Sequence, residues 1–136
     1  MTNRTIHVGA SRVRAGPIVE DDLLIAMELA EIIEEMGCTV VGPVGQLTRA
    51  LAQADSSALD AALLELDLHG QSSEKVATLL SERGIPFAFV TAYSAALDTT
   101  VFDRRPVVRK PFHREDIQDV VRMLLPGRMP VQVSHR

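Results

Sequence analysis

Apolar residues return along this chain at two alternating periods. Ile18-Val19 closes a short apolar run and meets three acids, Glu20, Asp21 and Asp22. A helical pattern follows, with Ile25, Leu29, Ile32, Ile33 and Met36 at i, i+4, i+7, i+8 and i+11. Glu28, Glu31, Glu34 and Glu35 fall on its polar side, and Gly37 is placed to cap it. Thr39-Val40-Val41 reads as a short strand stopped by Gly42-Pro43. Leu47, Ala50, Leu51 and Ala54 return at helical spacing, and Ala61 to Leu66 is a near-continuous apolar run, the mark of a strand buried on both faces.

The second half repeats the scheme. Ser72 or Ser73 is placed to cap a helix carrying Val76, Leu79 and Leu80, with Gly84 at its end. Pro86 introduces a strand, Phe87-Ala88-Phe89-Val90-Thr91. Residues 95–104 are only weakly periodic and predict a short or mobile helix. Pro106-Val107-Val108 reads as the last strand, and Ile117, Val120, Val121, Leu124 and Leu125 form an amphipathic helix. The pattern predicts an extension over 1–12, one domain over 13–125 and a tail over 126–136. Roughly five β–α units in series imply a parallel sheet with helices on both faces. Gly16-Pro17 resists the scheme, because proline removes a donor from a central strand, so that strand is expected to be short or distorted.

Composition narrows the classes. The 136 residues are 46% hydrophobic and 24% charged, which suits one globular domain. A net charge of −4 argues against a nucleic-acid surface. No apolar run approaches the roughly 18 residues of a membrane span, and Met1 to Ala15 lacks the apolar centre of a secretory signal. The lone Cys38 forms no internal disulfide and reads as a small buried residue, so a cytoplasmic location is expected.

The polar residues at the strand ends carry the chemistry, since ligands of open α/β sheets gather beyond the carboxyl ends of the strands. Glu20 and Asp21 follow the first strand, Glu65 and Asp67 the third, Thr91 ends the fourth and Lys110-Pro111 follows the fifth. Convergent carboxylates raise one another's pKa unless a cation intervenes, and Mg²⁺ suits an all-oxygen site. A lysine and a hydroxyl opposite them are suited to hold phosphoryl oxygens. Any one of these features is common; four at the same end of four strands are specific.

These residues resemble the response-regulator receiver family. Ile18-Val19-Glu20-Asp21-Asp22 is similar to its acidic motif, and Ala61-Ala62-Leu63-Leu64-Glu65-Leu66-Asp67-Leu68-His69-Gly70 to its phosphorylation-site motif. Thr91 matches the switch threonine and Lys110-Pro111-Phe112 the Lys-Pro-Phe motif, whose Lys-Pro peptide is typically cis. The resemblance runs from about Val13 to Leu125. It implies a flavodoxin-like (CheY-like) α/β three-layer sandwich with a five-stranded parallel sheet of order 2-1-3-4-5. Pro86 to Tyr93 further resembles the Pro-Phe-x-Phe-Ala-Thr-Gly-Tyr signature of certain stand-alone bacterial receivers, with Val90 and Ala92 departing from it. Tyr93 is then the candidate switch side chain, because Val107 stands where the usual strand-five aromatic would be.

The resemblance also implies the site. Asp21 would ligate Mg²⁺ directly and Glu20 through water, with Glu65 and the Asp67 carbonyl completing the set. Thr91 and Lys110 would contact phosphoryl oxygens. The acceptor position, however, holds Glu65 where the family has aspartate. The extra methylene advances the carboxylate by about 1.5 Å, and a misplacement of about 1 Å costs on the order of 100-fold. One reading is a receiver that no longer accepts phosphate, with Glu65 reaching Lys110 and imperfectly mimicking a phosphoryl group, which has more charge and one more oxygen. A second moves phosphorylation to Asp67, and a third retains Glu65 as acceptor.

The implied role is signal transduction through protein contacts, with a sensor histidine kinase or phosphotransfer protein upstream and a protein target downstream. Only 11 residues follow Leu125, so no output domain is expected, and output falls to the face of 95–104 and Val107-Val108. Homodimerisation through that face is an open alternative. The competing class is a small Mg²⁺-dependent α/β phosphohydrolase, which would need an aspartate nucleophile where Glu65 stands. His69 replaces the usual loop proline and is expected to face solvent; His7, His113 and His135 share no metal-ligand spacing with it.

Overall fold

The near-continuous apolar run at Ala61 makes the central strand, and the rest of the sheet is built outward from it. The computed structural model describes residues 15–42, 44–56, 58–92 and 105–126. The two chain ends, Tyr93 and the 95–104 segment lie outside the described residues. In chain order the elements are β1 (Ala15–Val19), α1 (Leu23–Glu35), α2 (Leu47–Ser56), β2 (Ala61–Leu64), β3 (Asp67–Leu68), β4 (Gln71–Ser72), α3 (Glu74–Glu82), β5 (Phe87–Thr91), β6 (Val107–Arg109) and α4 (Arg114–Leu124). β1, β2, β5 and β6 pair in that order as a four-stranded parallel sheet.

Strand periodicity divides the core into two layers. Leu63, Ala88, Val90 and Val108 face α1 and α4, where Leu29, Ile32, Ile33, Ile117, Val120 and Val121 are buried against them. Ala62, Leu64, Phe87 and Phe89 face α2 and α3, against Ala50, Ala54, Val76, Ala77 and Leu80. Successive side chains on a strand point to opposite faces, so one apolar run supplies both layers. Phe87 and Phe89 meet edge to face with ring centroids 5.6 Å apart. The Arg105 guanidinium lies 4.3 Å from the Phe87 ring centre, a cation–π contact. The three-layer CheY-like architecture is therefore as the resemblance implied.

The fifth strand needs a correction. The expected strand at Thr39-Val40-Val41 does not form a continuous ladder. Val41 and Val44 lie beside β1 through three backbone bonds: Ile18 N to Val41 O at 3.3 Å, Val44 N to Ile18 O at 2.8 Å and Glu20 N to Val44 O at 2.9 Å. The place of this segment in the order survives, while the strand is reduced to isolated bridging, such as that between Val19 and Val44. The cause is local: Gly42 has a φ of +101°, outside the range of an extended strand. Gly16-Pro17 has the expected consequence, since Ala15 and Gly16 both pair with Ala61 in a bulge.

Residues 67–72 form an unexpected element. β3 and β4 pair antiparallel, Asp67 with Ser72 and Leu68 with Gln71. His69 and Gly70 connect them with φ of +51° and +86°, the positive pair that a two-residue type I′ connection requires. Proline, locked near a φ of about −65°, has no access to the His69 conformation. The histidine is thus tied to this hairpin.

Candidate functional site

Four strand ends and the turns after them bring the polar residues to one edge of the sheet. Glu20 follows β1, Glu65 follows β2, Thr91 ends β5 and Lys110 follows β6. Register holds them there: Glu65 N donates to Val19 O at 2.8 Å, and Lys110 N donates to Thr91 O at 3.1 Å. The Lys110-Pro111 peptide is cis, as the resemblance implied.

Glu65 is the hub, and only 5% of it is exposed. Its Oε1 accepts from Lys110 Nζ at 2.6 Å. Its Oε2 accepts from Thr91 Oγ1 at 2.7 Å and from the Asp67 N–H at 3.1 Å. Thr91 is fully buried, so its hydroxyl is turned inward onto the carboxylate.

Glu20 is buried too, at 3% exposure. Its Oε2 accepts from the Asp22 N–H at 3.0 Å, and Lys110 Nζ lies 2.7 Å from its Oε1. That distance lets the ammonium donate to Glu20 as it does to Glu65, so one lysine bridges the two carboxylates. Burial pushes the Glu20 carboxyl above its ordinary value, while Lys110 and the Asp22 N–H oppose the rise. For Lys110, burial favours loss of the proton, but bonds to Glu20 and Glu65 outweigh it and raise its pKa.

The other expected residues lie elsewhere. Asp21 sits at the rim, its Oδ2 3.3 Å from Nδ1 of the exposed His69. Gly45 makes room there, since a Cβ at that position would come within 3.2 Å of the Asp21 Cα and the Glu20 carbonyl. Asp22 caps α1 through Oδ1, which accepts from Leu24 N and Ile25 N. The Asp67 carboxylate turns into the hairpin, where Oδ1 accepts from Gly70 N at 3.1 Å. Tyr93, the candidate switch residue, lies outside the described residues. Burial and then the charge of Asp60 push the Cys38 thiol up to about 11, in keeping with a small buried residue.

A Mg²⁺ ion would be held by hard oxygen ligands, several of them waters. The expected set of Glu20, Asp21, Glu65 and the Asp67 carbonyl does not fit it in this arrangement. Among the described residues, no three His, Cys, Asp or Glu side chains are placed to hold a metal ion. Both Glu65 oxygens are already engaged, and an ammonium group stands between Glu20 and Glu65.

One contributor was missed in the sequence. The sequence offered Ser72 or Ser73 as the cap of α3; Ser73 holds the N-cap position without a side-chain cap bond, and Ser72 Oγ accepts from Glu74 N at 3.0 Å. Ser73, fully buried, donates from Oγ to the Glu65 carbonyl at 2.8 Å, and its N–H donates to Leu66 O at 2.8 Å. A serine beside another serine at a helix start carries no signal for that inward bond. Ser73→Ala should cost about 1–3 kcal/mol, because a buried carbonyl loses its donor. Urea denaturation checks this, and a change below a few tenths would remove Ser73 from the account.

The fold and this polar edge define a class of signalling module. The family model for the response regulator receiver domain matches residues 17–122. The chain belongs to that family, whose place is in two-component signalling. The solved structure of SdrG from Sphingomonas melonis Fr1 is 37% identical with a TM-score of 0.72, covering 84% of this chain and 96% of that one. The phyllosphere-induced regulator PhyR of Methylorubrum extorquens is 31% identical over 115 residues, 79% of this chain and 42% of the relative. The transcriptional regulatory protein PdtaR of Mycobacterium tuberculosis is 30% identical over 95 residues, 69% of this chain and 46% of the relative. The chain spans less than half the length of these curated relatives. No helix among the described residues is long and apolar enough to cross a membrane.

Proposed function

We propose that this receiver domain signals without being phosphorylated, with Glu65 standing at the phospho-acceptor position. One observation carries the reading: the Glu65 carboxylate is bonded at once to Lys110 Nζ at 2.6 Å and to Thr91 Oγ1 at 2.7 Å. These are the groups that the family resemblance assigns to phosphoryl oxygens. Occupied by an internal carboxylate, they keep Thr91 inward with no covalent step. Asp67 is a poor substitute acceptor, because its carboxylate is spent on the hairpin turn.

Output then passes through a protein contact. Membership of the receiver family supports a protein target downstream, reached through a docking surface and not through phosphoryl transfer. A groove of about 430 Å³ between β6 and α4, bordered by the exposed Val107 and Met123, offers one docking surface. Exposure to acetyl phosphate and Mg²⁺, read by acid-labile phosphate content, tests the proposal. The expected result is no incorporation in the wild type. Incorporation lost in Glu65→Gln would restore Glu65 as acceptor, and incorporation lost only in Asp67→Asn would move the chemistry to the hairpin.

A further inference from the structure

We infer that the protein target adds a short extended segment, as a further strand, to the outer edge of β6. This deepens the reading of output through a docking surface and rests on it. β6 ends the parallel sheet, and among the described residues no strand pairs with its outer side. Phe89 N donates to Pro106 O at 3.0 Å and Lys110 N donates to Thr91 O at 3.1 Å. Alternate positions, Pro106, Val108 and Lys110, thus turn their backbone groups to β5. The N–H and C=O groups of Val107 and Arg109 then point outward. Both residues are exposed, while Val108 between them is buried. Such an edge is a template for another strand, because it offers donors and acceptors at the spacing of a ladder. Its three residues, with Pro106 and Pro111 at either side, limit the guest to a short segment.

The groove beside that edge says what the segment carries. α4 returns along β6, so Asp116 and Asp119 lie toward the carboxyl end of the strand and Val120 and Met123 toward its amino end. Met123 is 63% exposed and, with Val120, forms an apolar floor. The Asp119 side chain is 76% exposed, and Arg122 meets it only at 3.5 Å. An added strand projects alternate side chains onto one face, about 6.6 Å apart. One apolar side chain on the α4 face covers Val120 and Met123, and a basic neighbour on that face meets Asp116 and Asp119. The guest is therefore extended, with basic and apolar residues alternating on its α4 side. A helix laid in the groove would cover Met123 but leave the backbone groups of Val107 and Arg109 unpaired.

The probe is a five-residue peptide capped at both ends, Lys-Thr-Val-Thr-Lys, whose order is the same in either strand direction. It is titrated into the full chain and followed by amide shifts in the NMR spectrum. Saturable shifts at the Val107 and Arg109 amides, with slowed hydrogen exchange there, are expected at millimolar peptide. Two N-methylated forms decide the mode of binding, one methylated at the first, third and fifth residues and the other at the second and fourth. Only alternate N–H groups of an added strand face its neighbour, so one form should bind on the order of tenfold more weakly and the other like the parent. Glu-Thr-Val-Thr-Glu should also bind on the order of tenfold more weakly, from charge alone. Absence of saturable shifts at Val107 and Arg109, shifts confined to Val120 and Met123, or two methylated forms that bind alike overturns the inference. The two proposals fail separately: wild type that binds the peptide and also takes up phosphate sinks only the reading without phosphorylation, and wild type that takes neither sinks only this one.

Discussion

Lys110→Met should lower the stability of the fold by about 3–5 kcal/mol at neutral pH, the range found when one partner of a buried ion pair is removed. The Lys110 side chain is only 15% exposed, and its carboxylates are 1% and 5% exposed. Taking the ammonium away leaves two buried anions facing each other with no counter-charge. The deficit should shrink as the medium is acidified. Glu20 already has its folded pKa above the ordinary 4.5 through burial, and losing Lys110 removes a group that holds it down. A carboxyl whose folded pKa is raised binds its proton more tightly in the folded than in the unfolded state. Its contribution to stability therefore grows as pH falls through the folded value, and is fully present below 4.5.

Lys110 acts at the other end of the scale. Its folded pKa lies above 10.5, so its contribution is intact below 10.5 and is lost as pH rises through the folded value. Wild type should show that alkaline loss and Lys110→Met should not. Urea titrations across pH measure both limbs. A deficit below about 1 kcal/mol at neutral pH would mean that the pair behaves as a surface ion pair, and the account of the pocket would fail.

Glu65→Asp should raise the incorporation of acid-labile phosphate from acetyl phosphate by on the order of 100-fold over wild type. The shorter side chain withdraws the carboxylate by about 1.5 Å. Its bonds to Lys110 Nζ and Thr91 Oγ1, now 2.6 and 2.7 Å, should lengthen or break. Both groups then face the space that an incoming phosphoryl group would need. Donors already aimed at developing charge stabilise it without reorganising. The assay compares phosphate content in wild type, Glu65→Asp and Glu65→Gln. Labelling of Glu65→Asp no greater than that of Glu65→Gln would mean that reach is not what silences the pocket.

Much of this architecture was legible in the chain, for reasons particular to each segment. Leu29, Ile32 and Ile33 recur at helical spacing and are buried on α1. Ala61 to Leu64 is apolar at every position because the strand is covered on both faces. Lys110-Pro111 advertised its cis bond through its resemblance to a known motif. The convergence of Glu20, Glu65, Thr91 and Lys110 followed from parallel strands, whose carboxyl ends share one edge. The edge strand was over-read, since Thr39-Val40-Val41 has strand composition but Gly42 turns the chain away at a φ of +101°.

What the sequence determined was which residues reach the edge of the sheet, because periodicity and strand direction are properties of consecutive positions. Glu65 was expected there because it follows the apolar run of the central strand. Only the tertiary structure decided what its carboxylate does. Three donors reach it from positions 67, 91 and 110, and the last two are brought there by strands distant in sequence. The same is true of Ser73, whose hydroxyl turns from a helix start to the Glu65 carbonyl. It is true of Asp67, whose carboxylate the hairpin draws away from the pocket. Side-chain direction depends on which partners the packing offers, and those partners are set by the assembled sheet.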